Sequence, residues 1–172
     1  MNKIATPINI QKGNDLFTNI SGKWRVFTDT VMGGISNGQL LPAVIEGKNC
    51  LHLSGTVSLA NNGGFIQASL DLSESGFFDA SDYQGIEIDV YGNGEIYNIH
   101  LRTQDTQIVW QSYRASFQTK PYWQHIRLAF SDFSPHRIET PLNRSCLRRV
   151  GIVAIGRVMQ SDIAFANLCF YP

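Results

Sequence analysis

Apolar residues recur along this chain in short runs, about one every ten residues, separated by Gly, Asn, Asp and Pro. The pattern predicts strands over residues 50–57, 64–72, 85–91, 96–103, 108–117, 123–130, 150–155 and 163–170. The one helical turn that it predicts begins at Thr140, with Pro141 in the first helical position, and runs toward Arg148. Many short strands with almost no helix favour an all-β fold, a single β-sandwich of the jelly-roll type with at most short helical turns.

Alternation within these runs assigns side chains to faces, because successive residues of a strand point to opposite sides. In the run 86–90 the apolar residues point one way and Glu87 and Asp89 the other, and in the strand 108–117 Val109 points inward. The outward residues of the later strands are His100, Arg102, Trp110, Ser112, Arg114, His125 and Arg127. If these strands share a sheet, one outer face gathers this polar set together with Glu87 and Asp89. Gly92-Asn93-Gly94 predicts a hairpin between two of the strands.

Two glycine pairs stand beside large apolar residues, one within residues 29–38 and one within residues 61–65. Glycine pairs mark backbone that turns at positive φ or passes close to another group. We therefore expect the two loops to lie side by side as one mainly structural unit, in which Asp29 and Ser36 satisfy turn amides. The unit comprises Trp24, Asp29, Met32, Gly33, Gly34, Ser36, Gly63, Gly64 and Phe65.

The order of these motifs resembles the complex I intermediate-associated protein family. The motifs are Trp24, Asp29, Val-Met-Gly-Gly-x-Ser at 31–36, Asn-Asn-Gly-Gly-Phe at 61–65 and Gly-Asn-Gly at 92–94. The resemblance covers residues 24–171 and implies a galactose-binding-like β-sandwich that serves as an assembly factor or binding module without known catalysis. The chain departs from the family at Thr28, usually Asn, and near Ser69, where an Arg is expected. The resemblance therefore supports the fold more firmly than the role.

Length and charge exclude several classes of protein. The 172 residues suit one domain over 1–172, large enough to form a core without disulfides or metal. Fourteen basic residues balance fourteen acidic ones, which disfavours nucleic acid as a partner. No apolar run approaches the roughly 20 residues that span a bilayer, and residues 1–7 lack the features of a signal or transit peptide. With three widely spaced cysteines interpreted as reduced thiols, the sequence predicts a cytoplasmic protein without membrane insertion.

Catalytic and metal motifs are weak. Gly34-x-Ser36-x-Gly38 fits the nucleophile elbow of hydrolases, but that motif requires a strand-to-helix turn, and no helix start follows Gly38. Glu74, Asp79 and Asp82 lie in a loop that either holds a calcium ion or is explained by turn chemistry. No nucleophile, base and oxyanion donor converge, so we predict neither an enzyme nor a cofactor.

The outward set offers the candidate binding site: His100, Arg102, Trp110, Arg114 and Arg127. A tryptophan next to arginines provides a stacking surface beside strong hydrogen-bond donors, and both residue types are common interface hot spots. Two functions follow. The resemblance implies a protein-binding assembly factor or chaperone for respiratory complex I (NADH:ubiquinone oxidoreductase) or another multisubunit target. The alternative is a carbohydrate-binding module that uses the same face. A third interpretation is a solvated sheet face without a binding role, whose ion pairs contribute little to stability.

Overall fold

A computed structural model describes residues 24–73 and 76–172, which form two antiparallel β-sheets. The strands are β1 (Arg25–Thr28), β2 (Asn37–Ile45), β3 (Lys48–Val57), β4 (Phe65–Asp71), β5 (Gly85–Tyr91), β6 (Ile96–Thr103), β7 (Ser112–Gln118), β8 (Gln124–Ala129), β9 (Ser134–His136), β10 (Leu147–Ile155) and β11 (Met159–Tyr171). One sheet has six strands in the order β1-β4-β10-β6-β7-β9, and the other has five in the order β2-β3-β11-β5-β8. The predicted all-β sandwich is confirmed, and the helical content of the described residues is limited to 3-10 turns.

The core is built from alternate residues of both sheets. Ile66, Ile99 and Ile152 of the six-stranded sheet are fully buried, as are Leu53 and Ile88 of the five-stranded sheet. Most of their strand neighbours are more exposed, since the pleat turns every second side chain away from the core, although Val153 next to Ile152 is also fully buried. Burial of each such side chain stabilises the fold by roughly 1.5–3 kcal/mol.

Each predicted strand has a counterpart in the structure, but β1, β2 and β9 were not predicted. β2 escapes a pattern search because Gly38 and Pro42 interrupt its apolar residues. It lies at the edge of its sheet, where a proline costs no ladder hydrogen bond, and its Leu41 and Val44 are exposed.

The strand predicted over 108–117 is too long, and the inward orientation predicted for Val109 is wrong. The strand predicted over 108–117 begins only at Ser112, because the side chain of Gln111 accepts the backbone N–H groups of Gln107 and Ile108 and closes a turn. Val109, predicted to point inward, is 65% exposed in that turn.

The helical turn predicted at Thr140 is replaced by a single 3-10 turn over Arg144–Cys146. Asn143 caps this turn by accepting the N–H of Ser145 at 3.1 Å. The carbonyl of Thr140 instead accepts the hydroxyl of Tyr113 at 2.5 Å.

The common outer face predicted for the later strands is also wrong. β5 and β8 belong to the five-stranded sheet, whereas β6 and β7 belong to the six-stranded sheet. Residues 92–94 therefore carry the chain from one sheet to the other and do not form the predicted hairpin. Alternation gives the face of a residue within its own strand, but long-range pairing decides which sheet that strand joins.

Candidate binding groove

The two glycine loops meet at the carboxylate of Asp29, which begins the 3-10 turn after β1 and is fully buried. This carboxylate accepts the backbone N–H of Ser36 at 2.9 Å and its hydroxyl at 2.5 Å. From the other loop it accepts the N–H of Gly64 at 2.5 Å and that of Phe65 at 3.3 Å. The side chain of Asp29 thus joins the loops side by side.

The glycines leave room for this carboxylate. A Cβ atom built on Gly34 or on Gly63 would overlap the Asp29 carboxyl group. Gly33 ends the turn at φ 89°, a left-handed conformation that suits glycine. Gly34 therefore lets its own loop fold closely over Asp29, and Gly63 lets the other loop approach the same carboxyl group.

Asp29 stays ionised although it is buried. Burial raises the pKa of this carboxyl, but hydrogen bonds from the Ser36 side chain and from the backbone of Gly64, Ser36 and Phe65 lower it more, so the net pKa is below the usual value. The hydroxyl of Ser36, only 2% exposed, also accepts the N–H of Ser58 at 2.8 Å. These contacts commit Ser36 to the structure of the loops.

A groove crosses the outer face of the six-stranded sheet next to this loop unit. It is lined by Val31, Met32, Phe65, Gln67, His100, Arg102, Val109, Trp110, Gln111, Ser112, Arg114, Arg149, Gly151 and Ile155. Its volume is about 160 Å³, below the roughly 300 Å³ at which typical small-molecule pockets begin. An open groove of this size suits side chains or a sugar ring better than an enclosed cofactor.

The walls of the groove are apolar and exposed. Val31 and Met32, from the turn after β1, are 64% and 49% exposed. Val109 and Trp110, from the turn before β7, are 65% and 53% exposed. Between the two walls β4, β10 and β6 form the floor.

Arg102 holds the turn that carries Trp110. One terminal nitrogen of Arg102 donates to the carbonyls of Ile108, Val109 and Gln111 at 3.2, 3.0 and 2.9 Å, and the other donates to the carbonyl of Thr106 at 2.9 Å. Burial lowers the pKa of this guanidinium to about 10, so it remains charged at neutral pH. Arg102, predicted as a contact residue, is therefore engaged in positioning the turn.

His100 lies in the floor and is only 7% exposed. Burial, with smaller effects from Arg114 and His136, lowers the pKa of its imidazole to about 3, so the ring is neutral at physiological pH. Its register neighbour in β10 is Gly151, and the side chain of Gln67 from β4 lies where a Cβ atom on Gly151 would be. A glycine within a predicted strand often marks such close approach, and Gly151 was a signal that sequence reasoning missed.

Arg114 is the one predicted arginine whose charged end is still available in the groove. Its Nε donates to the hydroxyl of Ser112 at 2.8 Å, and within the described part of the chain its terminal nitrogens have no acceptor. Burial, with a smaller effect from Arg137, lowers the pKa of Arg114.

Arg127 lies on the other sheet, away from the groove, which corrects its place in the predicted site. It donates to Glu87 at 3.0 Å and lies over the ring of Tyr171, 4.3 Å from its centroid. Next to it, His125 contacts Asp89 at 2.8 Å and Glu87 at 3.2 Å. The structure therefore brings four of the five predicted binding residues together: His100, Arg102, Trp110 and Arg114.

The predicted cation loop is only partly described. Glu74 lies outside the described residues, and Asp79 accepts the N–H of Ser81 at 2.9 Å within a turn. Residues 24–73 and 76–172 contain no group of three His, Cys, Asp or Glu side chains placed to hold a metal ion. Over the same ranges, no helix is long and apolar enough to cross a membrane.

The sequence pattern of the family described as Complex I intermediate-associated protein 30 (CIA30) matches residues 15–165. The chain belongs to this family. No curated protein sequence matches the chain.

The fold of this family member is similar to that of bacterial carbohydrate-binding modules. A family 11 module from Clostridium thermocellum, solved with a β-1,3-1,4-mixed-linked tetrasaccharide, has a TM-score of 0.68 at 13% identity, covering 87% of this chain and 88% of the module. The family 30 module of the cellulosomal cellulase Cel9D-Cel44B of the same organism has a TM-score of 0.65 at 16% identity, covering 94% of each chain. At these identities the similarity shows a common β-sandwich fold and nothing finer.

Proposed function

We propose that this CIA30-family protein is a non-catalytic binding domain that captures a protein partner in the groove, as an assembly factor for a multisubunit complex. The observation that carries the proposal is the pair of exposed apolar walls, Val31 with Met32 and Val109 with Trp110. Trp, Met and Arg, all present in this groove, are enriched at protein interfaces. The family description supports respiratory complex I as the kind of target.

Aliphatic side chains favour a protein over a sugar. Val31, Met32 and Val109 gain free energy when apolar surface covers them, at roughly 25 cal/mol per Å², and a partner's apolar side chains supply that surface. A sugar offers mainly hydroxyl groups, which need polar partners, and its smaller C–H face packs on a flat aromatic ring such as that of Trp110.

Carbohydrate binding is the second candidate because Trp110 is half exposed in the groove and because the similar solved structures are carbohydrate-binding modules. Trp110 is the one aromatic residue in the exposed walls, and Phe65, which also lines the groove, is only partly exposed. The groove is therefore poorer in stacking surface than in aliphatic surface.

We also propose that the protein is not an enzyme and that it acts in the cytoplasm. Ser36, the one residue in a nucleophile motif, is buried and bonded to Asp29. Ser112, which lines the groove together with the neutral His100, accepts the Nε–H of Arg114 at 2.8 Å. None of the three described cysteines, Cys50, Cys146 and Cys169, forms a disulfide, which suits a reducing compartment.

The test is photo-cross-linking in the native cell. A photoreactive phenylalanine analogue is introduced at Val109 on the groove rim and, as a matched control, at Tyr122, which is exposed outside the groove. We expect position 109, and not position 122, to form a covalent product with a distinct protein, which Trp110→Ala abolishes. Equal products from both positions, or none from position 109, would contradict protein capture by the groove.

A further inference from the structure

The arginines of the groove differ in what surrounds their charge. Arg102 donates to four backbone carbonyls. Arg149 is paired with Asp71 at 2.8 Å, and that carboxylate also contacts Arg25 at 2.9 Å. Arg114 has no carboxylate within ion-pair distance among the described residues and keeps only the Ser112 hydroxyl. Among the described residues, Arg114 is thus the groove arginine that has neither a countercharge nor backbone carbonyls at its terminal nitrogens.

The rest of the lining does not supply that countercharge. Among the described residues that line the groove, none is Asp or Glu. His100, next to Arg114 in register, is neutral and contributes no charge of either sign. A partly buried cation in such surroundings has lost part of its hydration without gaining an anion, which is unfavourable. An incoming anion would remove this cost.

We propose that the captured segment carries an aspartate or glutamate whose carboxylate binds Arg114, beside an apolar residue that packs on Trp110 and Met32. The inference rests on the proposed function and adds the chemistry of the partner. A guanidinium and a carboxylate form two parallel hydrogen bonds, a geometry that lysine cannot reproduce. The apolar walls flank this cation, so acid and apolar side chains stand close together in the segment.

Phage-displayed random heptapeptides, selected on the immobilised full chain, test this chemistry. We expect the selected peptides to be enriched in Asp or Glu next to Leu, Ile, Met or Phe. The best acidic peptide should bind at least tenfold more weakly to Arg114→Gln, and its amide analogue should bind wild type equally weakly. Because Arg114→Lys keeps the charge but loses the bidentate geometry, its affinity should be intermediate.

The matched control is Arg127→Gln, which removes an arginine from the opposite sheet and should leave peptide affinity unchanged. Thermal melting of each variant shows whether a loss of binding reflects unfolding, and if Arg114→Gln melts early, Arg114→Lys gives the comparison.

Three results would overturn the inference. Selection of apolar peptides without acid enrichment, or equal affinity for wild type and Arg114→Gln, would refute the carboxylate while protein capture by the groove still stood. No enrichment above a selection on Trp110→Ala would refute peptide recognition here, and protein capture would then be decided by the cross-link at position 109.

Discussion

Replacement of Asp29 by alanine tests the loop unit. The change removes the acceptor of three backbone N–H groups, those of Ser36, Gly64 and Phe65, and of the Ser36 hydroxyl. A buried donor left without an acceptor costs roughly 1–3 kcal/mol. The costs of the unpaired donors add, but water that enters the space of the lost carboxyl offsets part of them. We therefore expect Asp29→Ala to lower the free energy of unfolding by about 3–5 kcal/mol.

The assay is equilibrium unfolding in urea. The matched control is Asp132→Ala, which removes an exposed carboxylate that accepts a single N–H, that of Ala129 at 2.9 Å, and should cost about 1 kcal/mol. Asp29→Asn keeps the shape but offers one acceptor oxygen, and should fall between wild type and Asp29→Ala. The reasoning fails if Asp29→Ala and Asp132→Ala unfold at the same urea concentration.

The ionised carboxylate of Asp29 also predicts how the stability of the fold depends on pH. The folded pKa of Asp29 is below its unfolded value of about 3.9, so its stabilising contribution is complete above that value and is lost as pH falls through the folded pKa. Between pH 5 and 2, wild type should therefore lose more stability than Asp29→Asn. Parallel curves over this range would refute an ionised Asp29 in the folded state.

Three further results are expected. Gly34→Val should lower the free energy of unfolding by at least about 2 kcal/mol, because its side chain would overlap the carboxyl of Asp29; an unchanged melting temperature would contradict this. Arg102→Gln should speed hydrogen exchange in the turn before β7, since four carbonyls lose their donor. Unchanged exchange there would show that the turn is stable without Arg102. The contacts with Asp89 and Glu87 outweigh burial and raise the pKa of His125, so its stabilisation is complete below the unfolded value of about 6.5 and is lost as pH rises through the higher folded pKa. Unfolding curves of His125→Gln between pH 6 and 8 should lack that loss, which is below about 1 kcal/mol because the ring is half exposed.

Local patterns in the sequence were enough to predict eight of the eleven strands in the described part of the chain and part of the loop unit. Ile86, Ile88 and Val90 are buried, as alternation predicted, because the side-chain period of a strand is a property of its backbone. Residue types also pointed to Asp29 and Ser36 as partners of turn amides, since short polar side chains beside glycines have few other roles.

Long-range pairing and loop closure could not be predicted in this way. Arg127 and Arg114 have the same outward pattern but lie on different sheets, because strand order depends on contacts far apart in sequence. The sequence pattern indicated that Arg102 is an exposed contact residue. In the structure its guanidinium donates to backbone carbonyls of the turn at residues 106–111, and a local pattern does not predict that contact. Arg149, which was not among the predicted binding residues, lines the groove because β10 lies between β4 and β6 in the sheet.

Calorimetry on the partner identified by cross-linking tests the central claim, that the groove captures a protein. The purified partner and the β-1,3-1,4-mixed-linked tetrasaccharide are each titrated into wild type, Trp110→Ala and Tyr122→Ala, which remove equally exposed aromatic side chains inside and outside the groove. We predict that Trp110→Ala raises the Kd for the partner at least tenfold, about 1.4 kcal/mol, without lowering the melting temperature, while Tyr122→Ala changes nothing. Binding of the tetrasaccharide that depends on Trp110, together with partner binding that does not, would contradict the account.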